Sequence, residues 1–235
     1  MNKQATENLS TQKKVPFSVV EAYKTIRTNL MFTLTQSNRK CVTVSSPDPD
    51  VGKSTTAINV AIAFSQLGVK VLLIDGDLRK PTVYKKMKLP NKTGLSSILA
   101  GFSTKEESIV SVNKNLDVLT SGPIPPNPSE MLSSAAMETL LNEFEEEYDY
   151  IVMDTPPINV VSDALVIAPK TSGIVLVVKE NFTTYEDIKR AITAIELTNV
   201  KLLGSVLNDA GAYSSHYKYG KYKKYGKYNK YDYSY

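Results

Sequence analysis

Residues 41–57 read CVTVSSPDPDVGKSTTA, an apolar β-branched run that breaks into a turn-rich loop before Gly52, Lys53, Ser54 and Thr55 open a helical pattern. That order of residue types is what a phosphate ester requires. A small residue lets backbone approach, N–H groups at a helix start point inward, a lysine meets the outer phosphate oxygens, and a hydroxyl can join a Mg²⁺ ion. Asp50, Val51, Gly52, Lys53, Ser54 and Thr55 form the expected nucleotide cradle. One residue departs from the general pattern: Pro47 stands five positions before Gly52, where glycine is usual.

Two more apolar runs end in carboxylates. VLLIDGDLRKP places Asp75 and Asp77, and YDYIVMDTPP places Asp154. Mg²⁺ favours carboxylates, phosphate oxygens and retained waters, so Ser54, Asp77 and Asp154 are the expected metal ligands. Asp75 or Asp154 could instead cap a following turn. That alternative explains either residue alone better than it explains three acidic strand ends beside one phosphate loop.

The elements that would carry these residues alternate along the chain. Short aliphatic runs at 41–45, 69–74, 116–119, 150–153, 174–178 and 202–207 read as strands, and helical periodicity appears at 19–34, 54–67, 94–100, 129–146, 164–168 and 185–197. Strands apolar on both faces and separated by helices imply a mostly parallel sheet covered on both sides, an α/β fold of the P-loop NTPase type. Ligands in such sheets bind beyond the carboxyl ends of the strands, where all three motifs fall.

Length and charge bound the rest. The 235 residues suit one sizeable α/β domain, read here as 17–211 between a flexible arm, 1–16, and a disordered tail, 212–235, rich in tyrosine and lysine. The tail holds six lysines and one aspartate, so its +5 exceeds the overall +4 and leaves residues 1–211 at −1. Basicity is local, and the domain lacks an extended stripe for specific nucleic-acid binding. Cys41, the lone cysteine, sits in an apolar run and reads as core. The first residues contain no apolar leader, and no stretch approaches a membrane span of roughly 18 apolar residues. The expectation is a cytoplasmic protein that reaches the membrane's inner face through a partner.

In combination, PDVGKSTTA, LLIDGDLRKPT, LDVLTSGPIPPNPSEMLSS, the DTPP that includes Asp154 and the terminal tyrosine cluster resemble the bacterial protein-tyrosine kinases of capsular and exopolysaccharide synthesis, over nearly the whole chain. The resemblance implies an ATP- and Mg²⁺-dependent enzyme with Lys53, Asp75, Asp77 and Asp154 as its catalytic group, Asp75 orienting the attacking tyrosine hydroxyl or taking its proton. It implies that the tail is the enzyme's own substrate, with Tyr213, Tyr217, Tyr219, Tyr222, Tyr225, Tyr228, Tyr231, Tyr233 and Tyr235 as acceptors. A flexible segment of 24 residues would span roughly 25 to 30 Å root-mean-square, enough to reach its own site or a neighbour's. Phosphorylation adds about −1.5 to −2 per tyrosine, so three modified sites would overturn the tail's charge.

The same resemblance implies partners: a transmembrane polysaccharide co-polymerase-type adaptor as activator, a cognate phosphotyrosine phosphatase, other tyrosine-bearing proteins, and further copies of the chain in a ring. Related kinases assemble through an acidic residue followed by two arginines at three-residue spacing, which corresponds here to Glu21, Lys24 and Arg27 in EAYKTIR. Lysine in place of the first arginine keeps the charge but loses the planar fork; a solvated helix with an ordinary i,i+3 ion pair is the alternative. Asn208, at the end of SVLND, falls where related folds contact the nucleotide base; an ordinary turn is the alternative. GPIPPNPSE reads as a rigid connection into a helix capped near Asn127 or Ser129.

Two other readings compete. Partition and division-site ATPases share the fold but carry a second lysine five positions before the conserved one, where this chain has Asp48. A nucleotide-gated scaffold without kinase activity would use the same phosphate loop. Asp50 also departs from the resemblance, since relatives have glycine or serine there; facing outward, its carboxylate would leave a polyphosphate undisturbed.

Overall fold

The computed structural model describes residues 16–35, 37 and 39–211. The tail tyrosines from Tyr213 to Tyr235 and nearly all of the N-terminal arm lie outside the described residues.

The elements run α1 (Phe17–Leu34), β1 (Cys41–Ser45), α2 (Lys53–Ser65), β2 (Val71–Asp75), α3 (Val83–Met87), α4 (Leu95–Leu99), α5 (Lys105–Ser108), β3 (Ile109–Asn113), β4 (Leu116–Leu119), α6 (Pro128–Ser133), α7 (Ala135–Glu147), β5 (Tyr150–Asp154), α8 (Asp163–Ile167), β6 (Ile174–Lys179), α9 (Tyr185–Glu196) and β7 (Leu202–Asn208). The strands form one sheet in the order β3-β4-β2-β5-β1-β6-β7. All neighbouring pairs are parallel except β3–β4.

Every residue of β1 and β2 is buried, as two covered faces demand. Side chains alternate across the sheet. Val42, Val44, Leu73 and Val152 pack with Val60 and Phe64 of α2 and Leu30 of α1, while Leu72, Ile74, Ile151 and Met153 pack with Met137, Leu141 and Phe144 of α7. Phe64 also stacks on Tyr150 with ring centroids 4.3 Å apart. A third cluster joins Ile174 and Leu176 of β6 to Ala191 and Ile195 of α9. Cys41 lies in the second cluster, and burial pushes its thiol pKa up, consistent with a core role.

Several elements differ from the sequence expectation. The pattern at 129–146 is not one helix: Ser134 is extended between α6 and α7, and its hydroxyl accepts from the Met137 amide as the cap of α7. β3 is not among the strands expected from the sequence; it is a half-exposed antiparallel edge joined to β4 through Lys114 and Asn115. β7 closes the other edge and has no fully buried residue. The short α3 follows the second acidic motif. Among the described residues no helix is long and apolar enough to cross a membrane.

Candidate active site

Strand order brings the three motifs together. β5 lies between β1 and β2, and Asp75 and Asp154 are register partners on adjacent strands. Gly76 turns the chain across that junction, its N–H donating to the Asp154 carbonyl at 2.8 Å. A Cβ at Gly76 would stand 2.9 Å from the same oxygen, so the DGD step needs glycine for close approach.

The phosphate loop leaves β1 and enters α2 through Gly52, whose φ of 94° lies in the left-handed region. Lys53 opens α2 and turns inward. Its ammonium donates to Asp77 Oδ2 at 2.9 Å, to Ser54 Oγ at 3.3 Å and to Asp154 Oδ1 at 3.5 Å. All four groups are buried. Burial opposes the lysine's charge, but Asp154 and Asp77 outweigh it and raise the Lys53 pKa.

Asp75 makes no hydrogen bond to the side chains of this cluster, although their charges act on it. Its Oδ2 accepts from the Val83 amide at 3.1 Å and its Oδ1 from the Asp77 amide at 3.3 Å. Burial, reinforced by the neighbouring Asp154 charge, pushes its carboxyl up to about 8. Burial also raises Asp154, against the pull of Lys53. Asp77 is divided between two donors, Oδ1 taking the Lys80 amide at 2.9 Å while Oδ2 takes Lys53.

The arrangement fits a hard divalent cation beside a polyphosphate. Asp154 Oδ2 is buried and has no hydrogen-bond partner, an unsatisfied acceptor on the carboxylate whose other oxygen meets Lys53. Ser54 Oγ and the carboxylates of Asp77 and Asp154 are all oxygen donors gathered around one cationic group. Among the described residues there is no self-sufficient cage of three or more acidic, histidine or cysteine side chains. Mg²⁺, which retains waters and shares its ligands with substrate phosphates, does not require one.

The other expected residues sit as follows. Asp50 is exposed at φ 60°, outside the buried cluster. Val51 is fully buried, and Thr55 is exposed, its hydroxyl accepting from Lys86 at 3.1 Å. Asn208 uses its side-chain amide on the loop backbone, donating to the Val51 carbonyl at 2.9 Å. Away from the site, Lys24 pairs with Glu21 at 2.8 Å, while Arg27 donates to the Ala63 carbonyl near the end of α2 at 2.9 Å.

Sequence reasoning missed one set of residues. Arg79 forms a bidentate pair with fully buried Asp163, Nε to Oδ2 at 2.8 Å and Nη2 to Oδ1 at 3.0 Å. Ser129 donates to Asp163 and accepts from Arg79. The second acidic loop is thus tied to both α6 and α8. The partners are 50 and 84 residues from Arg79, so no local pattern marks them.

Residues 39–206 match the AAA domain family. The tyrosine-protein kinase YwqD of Bacillus subtilis is 46% identical over 201 residues, covering 85% of this chain and 84% of that protein. Among solved structures, the chimerical protein CapA2B2 is 42% identical with a TM-score of 0.78, covering 88% of this chain and 91% of that one. The kinase domain of Escherichia coli tyrosine kinase ETK reaches the same TM-score at 32% identity, covering 84% of this chain and 81% of that one. Identity at this level over most of both chains, on a fold that brings the three nucleotide motifs to one sheet edge, places this chain in the bacterial protein-tyrosine kinase family.

Proposed function

We propose that this chain is an ATP- and Mg²⁺-dependent protein-tyrosine kinase that phosphorylates its own tyrosine cluster, from Tyr213 to Tyr235, and regulates capsular or exopolysaccharide synthesis and export. The observation that carries the reading is the convergence of Lys53, Asp77 and Asp154 beneath the phosphate loop, with Asp75 facing the adjoining turn.

Each residue has a part in the transfer. Backbone N–H groups at the start of α2 hold the β-phosphate, and Lys53 exchanges its carboxylate partners for phosphate oxygens when nucleotide enters. Ser54, Asp77 and Asp154 would hold Mg²⁺, whose charge would offset that of the phosphate oxygens. The tyrosine oxygen bonds to the γ-phosphorus as the bond to the β–γ bridging oxygen breaks, ADP leaves, and the phenolic proton passes to Asp75. Burial raises the proton affinity of Asp75 in the metal-free protein, and the positive charge of Mg²⁺ nearby would return its carboxylate to the ionised form that accepts a proton.

The same reading includes assembly and recruitment. A transmembrane polysaccharide co-polymerase-type adaptor brings the kinase to the inner face of the membrane and activates it. Copies assemble through the α1 face that carries Glu21, Lys24 and Arg27, and a phosphotyrosine phosphatase resets the tail. Intact-protein and peptide mass spectrometry, after incubation with ATP and Mg²⁺ with and without the adaptor's cytoplasmic segment, tests the core of the proposal. Phosphate on the terminal tyrosines of the wild type, and none on Lys53→Met, is the expected result. A folded, ATP-binding wild type that stays unmodified with its adaptor would overturn it in favour of a nucleotide-gated scaffold.

A further inference from the structure

From residue 78 to residue 105 the sequence contains no aspartate or glutamate, while Arg79, Lys80, Lys85, Lys86, Lys88 and Lys92 fall within fourteen positions. Elsewhere in the fold Lys24, Arg39, Lys105, Lys170, Lys179 and Arg190 each face a carboxylate, while Lys40, Lys70, Lys114, Lys189 and Lys201 form no ion pair with a described residue. Arg79 is taken by Asp163. The five lysines form no ion pair with any described residue, and all five are exposed. In a domain whose first 211 residues carry −1, so concentrated a positive patch is an electrostatic feature in its own right.

Its position is specific. The Lys80 amide donates to Asp77, the Val83 amide donates to Asp75, and the Lys86 ammonium reaches the Thr55 hydroxyl beside the phosphate loop. The patch therefore adjoins the place where an acceptor tyrosine would meet Asp75. Unmodified, the tail carries +5, a charge of the same sign as this surface. Each phosphate changes its charge by about −1.5 to −2 and adds three acceptor oxygens.

We propose that the lysine patch of residues 80–92 is a docking site for phosphotyrosine, retaining a tail that already bears one phosphate so that its neighbouring tyrosines reach the active site. The inference rests on the kinase reading above. Most tyrosines of the cluster are two or three residues apart, or roughly 7 to 10 Å along an extended chain. The five residues of α3 span about 7.5 Å. A phosphate held on Lys85, Lys86 or Lys88 would thus sit about one helix length from the Asp75 turn, a distance that the spacing to the next tyrosine can span. Lysines suit this task because they are hydrated point charges without a fixed fork, which tolerate any phosphotyrosine of a repetitive tail. The first phosphate is then added slowly and the later ones faster.

The binding step can be tested without kinase activity. Full-length Lys53→Met protein is titrated by fluorescence anisotropy with a synthetic peptide of residues 217–235, unmodified or phosphorylated at Tyr225. The expected result is that the phosphopeptide binds about tenfold or more tighter than the unmodified peptide, with strong salt dependence, and that Lys85→Glu/Lys86→Glu/Lys88→Glu removes the difference. Lys70→Glu/Lys114→Glu/Lys201→Glu, placed at the opposite end of the sheet and equal in charge change to the triple reversal, should leave it intact. The milder Lys85→Gln/Lys88→Gln pair, with a thermal melt, should give an intermediate loss in folded protein. Equal binding of both peptides, or phosphopeptide binding unaffected by the triple reversal, overturns the proposal. Lysine-dependent binding to phosphatidylserine vesicles without phosphopeptide preference overturns it also and assigns the patch to a membrane surface. Failure here would leave the mass-spectrometric test of kinase activity untouched, and failure of that test would not alter these affinities.

Discussion

The side-chain amide of Asn208 donates to the carbonyl of Val51 at 2.9 Å and fills the space that a Cβ on Gly52 would need, 2.1 Å from that nitrogen. The end of β7 and the phosphate loop are therefore locked together. Asn208→Ala should lose about 1 kcal/mol of stability with this hydrogen bond and weaken ATP binding several-fold, while leaving adenine-over-guanine preference unchanged. Gly52→Ala puts a side chain at a left-handed φ and displaces the Asn208 amide, and should weaken binding more than Asn208→Ala does. Titration with fluorescent ATP and GTP analogues checks both, and a loss of base preference in Asn208→Ala would place the residue on the base instead.

The carboxyl of Asp75, pushed up to about 8 by burial and the nearby Asp154, makes the stability of the metal-free protein depend on pH. The folded form keeps a proton that the unfolded chain has released above the ordinary aspartate range. Stability is then greatest at acid pH and falls as pH rises toward 8, by at most about 1.4 kcal/mol per pH unit for one group. Thermal unfolding without nucleotide or Mg²⁺ should show the decline, and Asp75→Asn should make it shallower, with Asp154 left to contribute in the same direction. A wild-type curve already flat between pH about 5 and 8 would contradict the burial argument.

Much of this site was legible because its signals are local. Gly52, Lys53 and Ser54 follow a β-branched run directly, and Asp75, Asp77 and Asp154 end apolar runs, so period and punctuation located them without long-range information. The break at Ser134 was hidden because the apolar period continues across it, and β3 because its alternation is short and only half-buried. The reach of Asn208 to Val51 depends on where β7 joins the sheet, and the Arg79–Asp163–Ser129 set depends on three separate elements. Register and loop packing decide such contacts, and neither leaves a mark in a window of the sequence.

Arg79→Lys tests whether that set holds the catalytic loop. Lysine keeps the charge but cannot reproduce the two bonds from Nε and Nη2 to the Asp163 carboxylate. A loss of about 1 to 2 kcal/mol is expected, with kcat falling more than ATP affinity because Asp77 lies two residues away. Ser129→Ala should do the same more weakly, and Asp163→Asn more strongly, since Asp163 is fully buried. Equal kcat in stable Arg79→Lys protein would reduce the pair to a structural tie.

Asp50→Gly separates backbone conformation from charge in the phosphate loop. Asp50 has φ 60° and its side chain is exposed, so the strain is in the backbone and the carboxylate is not among the buried groups around Lys53. Glycine adopts this conformation freely but gives the unfolded chain more freedom, and the two effects nearly offset one another, within about 1 kcal/mol. Removing an exposed negative charge near a polyphosphate can only favour the ligand, the more so at low ionic strength. Asp50→Gly should therefore bind ATP as well as or a few-fold better than the wild type, with the gain shrinking as salt is added. Asp50→Asn, which tolerates the same φ without the charge, should match the glycine variant. If both variants instead bound ATP much more weakly, the Asp50 carboxylate would have to contribute to holding nucleotide or its Mg²⁺, and the outward geometry of the loop would not describe the nucleotide-bound state.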